Sequence, residues 1–89
     1  MSSNDPEAIV QQVAEIADYE ALREIANQLA GLLVARQRAA SSDDEAQAWR
    51  LEHRMLRARL DSVQRNTPAV AEALEQLSNR LAQLRGGAT

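Results

Sequence analysis

The chain holds a single histidine, His53, and no cysteine. A metal site needs several His, Cys or carboxylate groups converging on one ion, and His53 has no second imidazole or thiolate to join it. It lies between Trp49 and Leu56 in an apolar helical repeat, the setting of a half-buried histidine at a polar break in a seam. The hydroxyls offer no better chemistry, because a nucleophile needs a base and an orienting group beside it. Ser41, Ser42 and Thr67 stand where helix caps are expected, and Ser62 and Ser78 on helix flanks. Gly31 stands alone and Gly86-Gly87 falls after the last helical repeat, so no glycine-rich phosphate loop is present. Glu20 with Glu24, and Asp43 with Asp44, read as solvated or capping charge. The expectation is a protein without catalytic residues, bound metal or cofactor, and therefore not an enzyme.

Arginine is the one residue type with a suggestive arrangement. All ten basic residues are Arg. On a helix covering about 43–66, Arg50, Arg54, Arg57 and Arg65 fall within an arc of about 80°, a charged recognition face. Such a face can meet phosphates, which makes a nucleic-acid-associated regulator the alternative reading. Against it stand a net charge of −3, the absence of lysine and an aromatic content of 2%. Residues 1–30 carry six acids against Arg23 alone, whereas residues 31–65 carry seven Arg against five acids. Acidic protein surface, internal or external, is the expected counterpart of the arginines, and nucleic acid is not an expected partner.

These side chains must be held by helices. Seventeen Ala, eleven Leu and eight Gln in 89 residues, with no Phe and two Pro, describe a chain built from strong helix formers. Asp5-Pro6-Glu7 is a helix start, with a capping carboxylate, Pro at the first helical position and an acid in the first turn. Ile9, Val13 and Ile16 follow at spacings of four and three, then Leu22, Ile25, Leu29 and Leu32, with Leu33 beside them. Ile16 points roughly opposite the later stripe at 100° per residue, so the helix either breaks near Ala17-Asp18-Tyr19 or runs through to serve different neighbours, and the break is the expectation. Ser42-x-x-Glu45 forms a capping box for the next helix. Its seam runs Ala46, Trp49, His53, Leu56, Leu60, Val63, and Asn66-Thr67-Pro68 ends it. Val70, Leu74, Leu77, Leu81 and Leu84 repeat strictly before Arg85-Gly86. The expected fold is all-α: one domain over 1–89, a small up-down bundle of three long helices at about 19–40, 43–66 and 68–85. A short N-terminal helix or arm over about 6–17, coiled-coil-like seams and flexible ends at 1–4 and 86–89 complete it.

Leu22-Arg23-Glu24-Ile25 through Leu32-Leu33-x-x-Arg36 resembles the first helix of the all-helical chorismate mutases over some fifteen residues. The resemblance implies a small helical enzyme, the weaker alternative. That family's site also uses a lysine, which this chain lacks, so no site residue carries over.

Two surfaces exceed what a small bundle needs, since one apolar stripe per helix is enough. Leu51, Met55 and Ala58 lie about 120–180° from the Trp49–Val63 seam, and Ala30, Gly31 and Val34 lie behind the Leu22–Leu32 stripe. Either the N-terminal helix or a second chain covers them. The reading that follows is a protein–protein interaction module, an adaptor, inhibitor or antitoxin-like regulator that occludes a partner protein and forms a homodimer. No basic leader or long apolar run is seen, the longest being Leu29–Ala35, so a cytoplasmic location off the membrane is expected. The all-arginine, alanine-rich composition hints at a bacterial or phage source.

Overall fold

The computed structural model describes residues 6–65 and 67–86, with side chains from residue 17 onward. Three helices follow in order: α1 (Pro6–Ala39), α2 (Asp43–Ser62) and α3 (Pro68–Gly86). No strand occurs among the described residues. The fold is all-α, with helices alternating in direction.

Both α2 and α3 pack on α1, and among the described residues they make no close backbone contact with each other. The helix pairs close on a core of Leu22, Ala26, Leu29 and Leu33 from α1, Leu56 from α2, and Val70, Ala73, Leu77, Leu81 and Leu84 from α3. Tyr19, Ile25, Ala30, Leu32, Trp49, Leu60, Val63 and Leu74 pack half-buried around it. The α1 core positions follow a 4-3-4 spacing, the stripe of a helix that must serve two neighbours at once. Ala26 and Ala73, 2% and 1% exposed, let backbones approach where a larger side chain would hold them apart.

The result is long and thin. The chain measures 61 × 27 × 15 Å with a radius of gyration of 16.5 Å, against about 12 Å for a compact domain of this length. At 1.5 Å per residue the 34 residues of α1 span about 51 Å.

Four features of the sequence reading are corrected. First, α1 runs through Ala17-Asp18-Tyr19 without a break, so the separate helices at 6–17 and 19–40 are one. A change of apolar face leaves the backbone ladder untouched, and this stretch contains neither Gly nor Pro to interrupt it. The expected contacts of Ile9, Val13 and Ile16 lie outside the described side chains. Second, α2 stops at Ser62 rather than near 66. Val63 turns extended, its N–H donating to the Arg59 and Leu60 carbonyls at 3.2 and 3.3 Å. The Ser62 hydroxyl donates to Arg59 O at 2.8 Å, a local bond that competes with continuing the helix. Third, Gly86 is the last residue of α3 rather than the first beyond it. Fourth, Leu74 is half-buried while Ala73 takes the core position.

The expected caps form with shifted partners. Ser42 Oγ accepts from Glu45 N at 3.1 Å, as a capping box requires. The Glu45 carboxylate instead reaches one residue further back, accepting from Ser41 N at 2.9 Å and Ser41 Oγ at 3.0 Å. Those two donors hold the Glu45 carboxyl below the usual carboxylate range, against a small opposing effect of desolvation and with help from the Trp49 indole and the Arg36 charge. At α3 the Thr67 hydroxyl turns back to donate to Gln64 O at 2.7 Å, while its carbonyl accepts from Val70 N at 3.1 Å.

Candidate interaction surface

Because α2 meets α1 through Trp49, Leu56, Leu60 and Val63, the residues about 140° around the helix must face outward. Leu51 and Met55 are 53% and 61% exposed, large apolar side chains left in solvent. Ala48 and Ala58 on the same stripe are exposed as well. Beside this stripe, α2 and α3 diverge over α1 and leave an open groove of about 460 Å³. Its walls carry Leu51, Met55 and Leu56 from α2 and Leu77 from α3, with Leu29 at the floor. A second, smaller depression of about 290 Å³ lies on the other side of Leu51, between Asp44, Gln47, Arg50 and Arg54. Leu51 is therefore a ridge between two hollows.

The groove is fixed at one edge by charge. Arg80 of α3 grips Glu52 of α2 with a two-point ion pair, Nε to Oε2 and Nη2 to Oε1, both 2.7 Å. Glu52 and its hydrogen bond raise the Arg80 pKa further above its ordinary value, against a smaller effect of burial. The Arg80 guanidinium also stands 5.9 Å from the Trp49 ring centroid, and Arg36 of α1 stands at 5.9 Å from the same ring. Arg36 Nη2 donates to Leu84 O at 2.9 Å, satisfying a carbonyl in the last turn of α3. Trp49 thus joins all three helices through two cation–π contacts.

The arginine face divides. Arg50 reaches α1, where the Gln37 amide oxygen, turned to satisfy both groups, accepts from Nε and Nη2 at 3.2 Å. Arg65 stacks on Tyr19, its Cζ 4.7 Å from the ring centroid. Arg54 and Arg57 remain exposed. The ion pair found among the described residues joins Glu52 and Arg80, so α2 and α3 are bridged where an attraction between the acidic first third and the arginine-rich middle had been expected. Of the second expected surface, Ala30 packs against the core, Val34 is half-buried and Gly31 is exposed with nothing within 4 Å of where a Cβ would stand.

His53 is half-buried, as its place in the seam implies, and its Nε2 is buried with no hydrogen-bond partner among the described residues. Among those residues no three His, Cys, Asp or Glu side chains gather to hold a metal ion, and no helix is long and apolar enough to cross a membrane. Sequence reasoning found Leu51 and Met55 but missed the groove beside them, whose far wall comes from α3. The Glu52–Arg80 spacing of 28 residues carries no local signal that could have revealed it. No protein-family model, curated protein or solved structure matches this chain.

Proposed function

We propose that the protein is a non-enzymatic protein-interaction module, a cytoplasmic helical adaptor, inhibitor or antitoxin-like regulator that acts by occluding a partner protein and associates with itself. One observation carries the reading: two large apolar side chains, 53% and 61% exposed, beside an open apolar groove with a charged edge. Contiguous exposed apolar surface with a polar rim marks a protein-binding site, and a groove between two helices accepts the apolar face of a third. On the other side of Leu51, the exposed Arg54 and Arg57 would meet acidic groups of the partner.

The test compares the wild-type chain with Leu51→Glu/Met55→Glu as baits in the native host. Both positions are exposed, so the double variant should keep the helical circular dichroism of the wild type. The expected result is a stoichiometric protein partner that copurifies with the wild type alone and re-forms a complex from purified components. The same proteins on both baits, or neither a partner protein nor a second copy of the chain on the wild type, would overturn the reading.

A further inference from the structure

Along α2 the exposed stripe runs Asp44, Ala48, Leu51, Met55, Ala58, Ser62, and every one of these residues is exposed. The spacings are 4, 3, 4, 3 and 4, a heptad seam turned away from the protein's own core. Its sizes are arranged as a mirror about residue 53: Leu51 answers Met55, Ala48 answers Ala58, and Asp44 answers Ser62. A helix with such a stripe is complementary to itself when a second copy lies antiparallel to it. We infer that the occupant of this face is a second copy of the chain, with the two α2 helices antiparallel and crossing at the level of residue 53. The inference rests on the interaction-module reading and names one partner for its surface.

In that register each Leu51 meets the other copy's Met55, and each Ala48 meets the other copy's Ala58. Two large apolar layers at the centre are flanked by alanine layers, which permit helix axes near the close end of the usual 8–10 Å range. The ridge at Leu51 then enters the other copy's seam, and side chains of the other copy fill the hollows on either side of it.

Charge selects the direction. The stripe is bordered on one edge by Glu45, Glu52 and Arg59 and on the other by Gln47, Arg54 and Asp61. In antiparallel helices like edges meet like edges, so Glu45 of each copy falls beside Arg59 of the other, twice by symmetry. Glu52, nearest the twofold axis on that edge, is already neutralised by Arg80. Parallel helices would set Arg54 of each copy against Arg59 of the other, also twice. The antiparallel arrangement retains one like-charge approach, Arg54 to Arg54, at the solvent edge where screening is strongest. The α3 helix lies on the Glu52 edge, and the twofold axis brings both copies of that edge together. The two α2–α3 grooves therefore face each other, and Met55 of both copies gains cover that the single chain does not supply.

The absence of cysteine makes the register directly readable. Ala48→Cys and Ala58→Cys are made as separate single variants, purified, and oxidised alone and as an equimolar mixture. The inferred pairing gives a disulfide-linked heterodimer in the mixture, while each variant alone stays uncrosslinked because its two thiols lie about ten residues, roughly 15 Å, apart along the helix. Light scattering of the wild type should give twice the 9.8 kDa chain mass, and Leu51→Glu should return it to one chain with its helicity intact. Crosslinking of either single variant alone would indicate a parallel pair and overturn the inference. A wild type that stays at one chain mass at high concentration would overturn it too, while leaving the bait comparison above to decide the interaction reading independently.

Discussion

Gly31→Ala is the substitution whose effect can be worked most completely. Gly31 lies inside α1, eight residues before its end at Ala39. It is exposed, and a Cβ built there meets nothing within 4 Å. Alanine therefore introduces no clash and gains the full helix-propensity difference of about 0.8–1.0 kcal/mol, part of it by restricting the unfolded chain. Unfolding entropy of about 2.1 cal/mol/K per residue gives roughly 190 cal/mol/K for a chain of this length, so 1 kcal/mol corresponds to about 5 °C in Tm. Thermal melts by circular dichroism, paired with urea titrations, should show a rise of about 4–5 °C and a higher midpoint at unchanged slope. A fall in Tm would refute the reasoning, because it would require another backbone packed on the outer face of α1, the close approach for which a helical glycine is otherwise suited.

Three further outcomes follow from the same packing. Leu29→Ala removes a side chain 1% exposed where α2 and α3 both meet α1; it should cost about 2–5 kcal/mol, read from the urea midpoint, whereas Leu51→Ala should stay within about 1 kcal/mol. Glu45 has its folded pKa below the unfolded value, so its contribution is present above the unfolded carboxylate pKa of about 4.3 and is lost as pH falls through the folded value. Glu45→Gln should therefore flatten the loss of Tm between about pH 5 and 3 relative to wild type, and an unchanged acid limb would contradict the Ser41 contacts. Arg54→Ala/Arg57→Ala should leave heparin retention near zero, as in the wild type at physiological salt; steep, salt-dependent retention abolished by this variant would instead place phosphate on the arginine face.

Much of the fold was legible because leucine spacing is a strong signal. Leu22, Leu29, Leu77, Leu81 and Leu84 were all assigned to the interior from 4-3 repeats, and all are buried. Ala26 and Ala73 were not assigned, since alanine is spread through the whole chain and carries little periodic contrast. The false break near Asp18 came from reading a change of apolar face as a change of backbone, although helical hydrogen bonds do not depend on which face is apolar. The early end of α2 turns on the Ser62 hydroxyl and the Val63 N–H, bonds that a pattern of apolar letters does not register. At the surface, Leu51 and Met55 stood out as apolar residues off the seam. The groove did not, because its shape depends on how far apart α2 and α3 come to rest on α1.

That α2 and α3 each pack their backbones on α1, and meet each other only through side chains such as Glu52 and Arg80 among the described residues, has a consequence for the order in which the protein assembles. The α1–α2 hairpin closes across a few residues around Ser41, whereas the contacts of α3 with α1 are distant in sequence, as the Arg36–Leu84 bond spans 48 residues. Loop-closure entropy grows with that length, so the hairpin forms early and α3 docks afterwards onto the exposed Leu22–Leu33 ridge. Opening should run in reverse. Native-state hydrogen exchange should find α3 releasing its amides as one unit below the global unfolding free energy, with the middle of α1 the last to exchange. While α3 is away, the face it leaves carries Leu29 and Leu33 beside Leu51 and Met55, one continuous apolar strip along two helices.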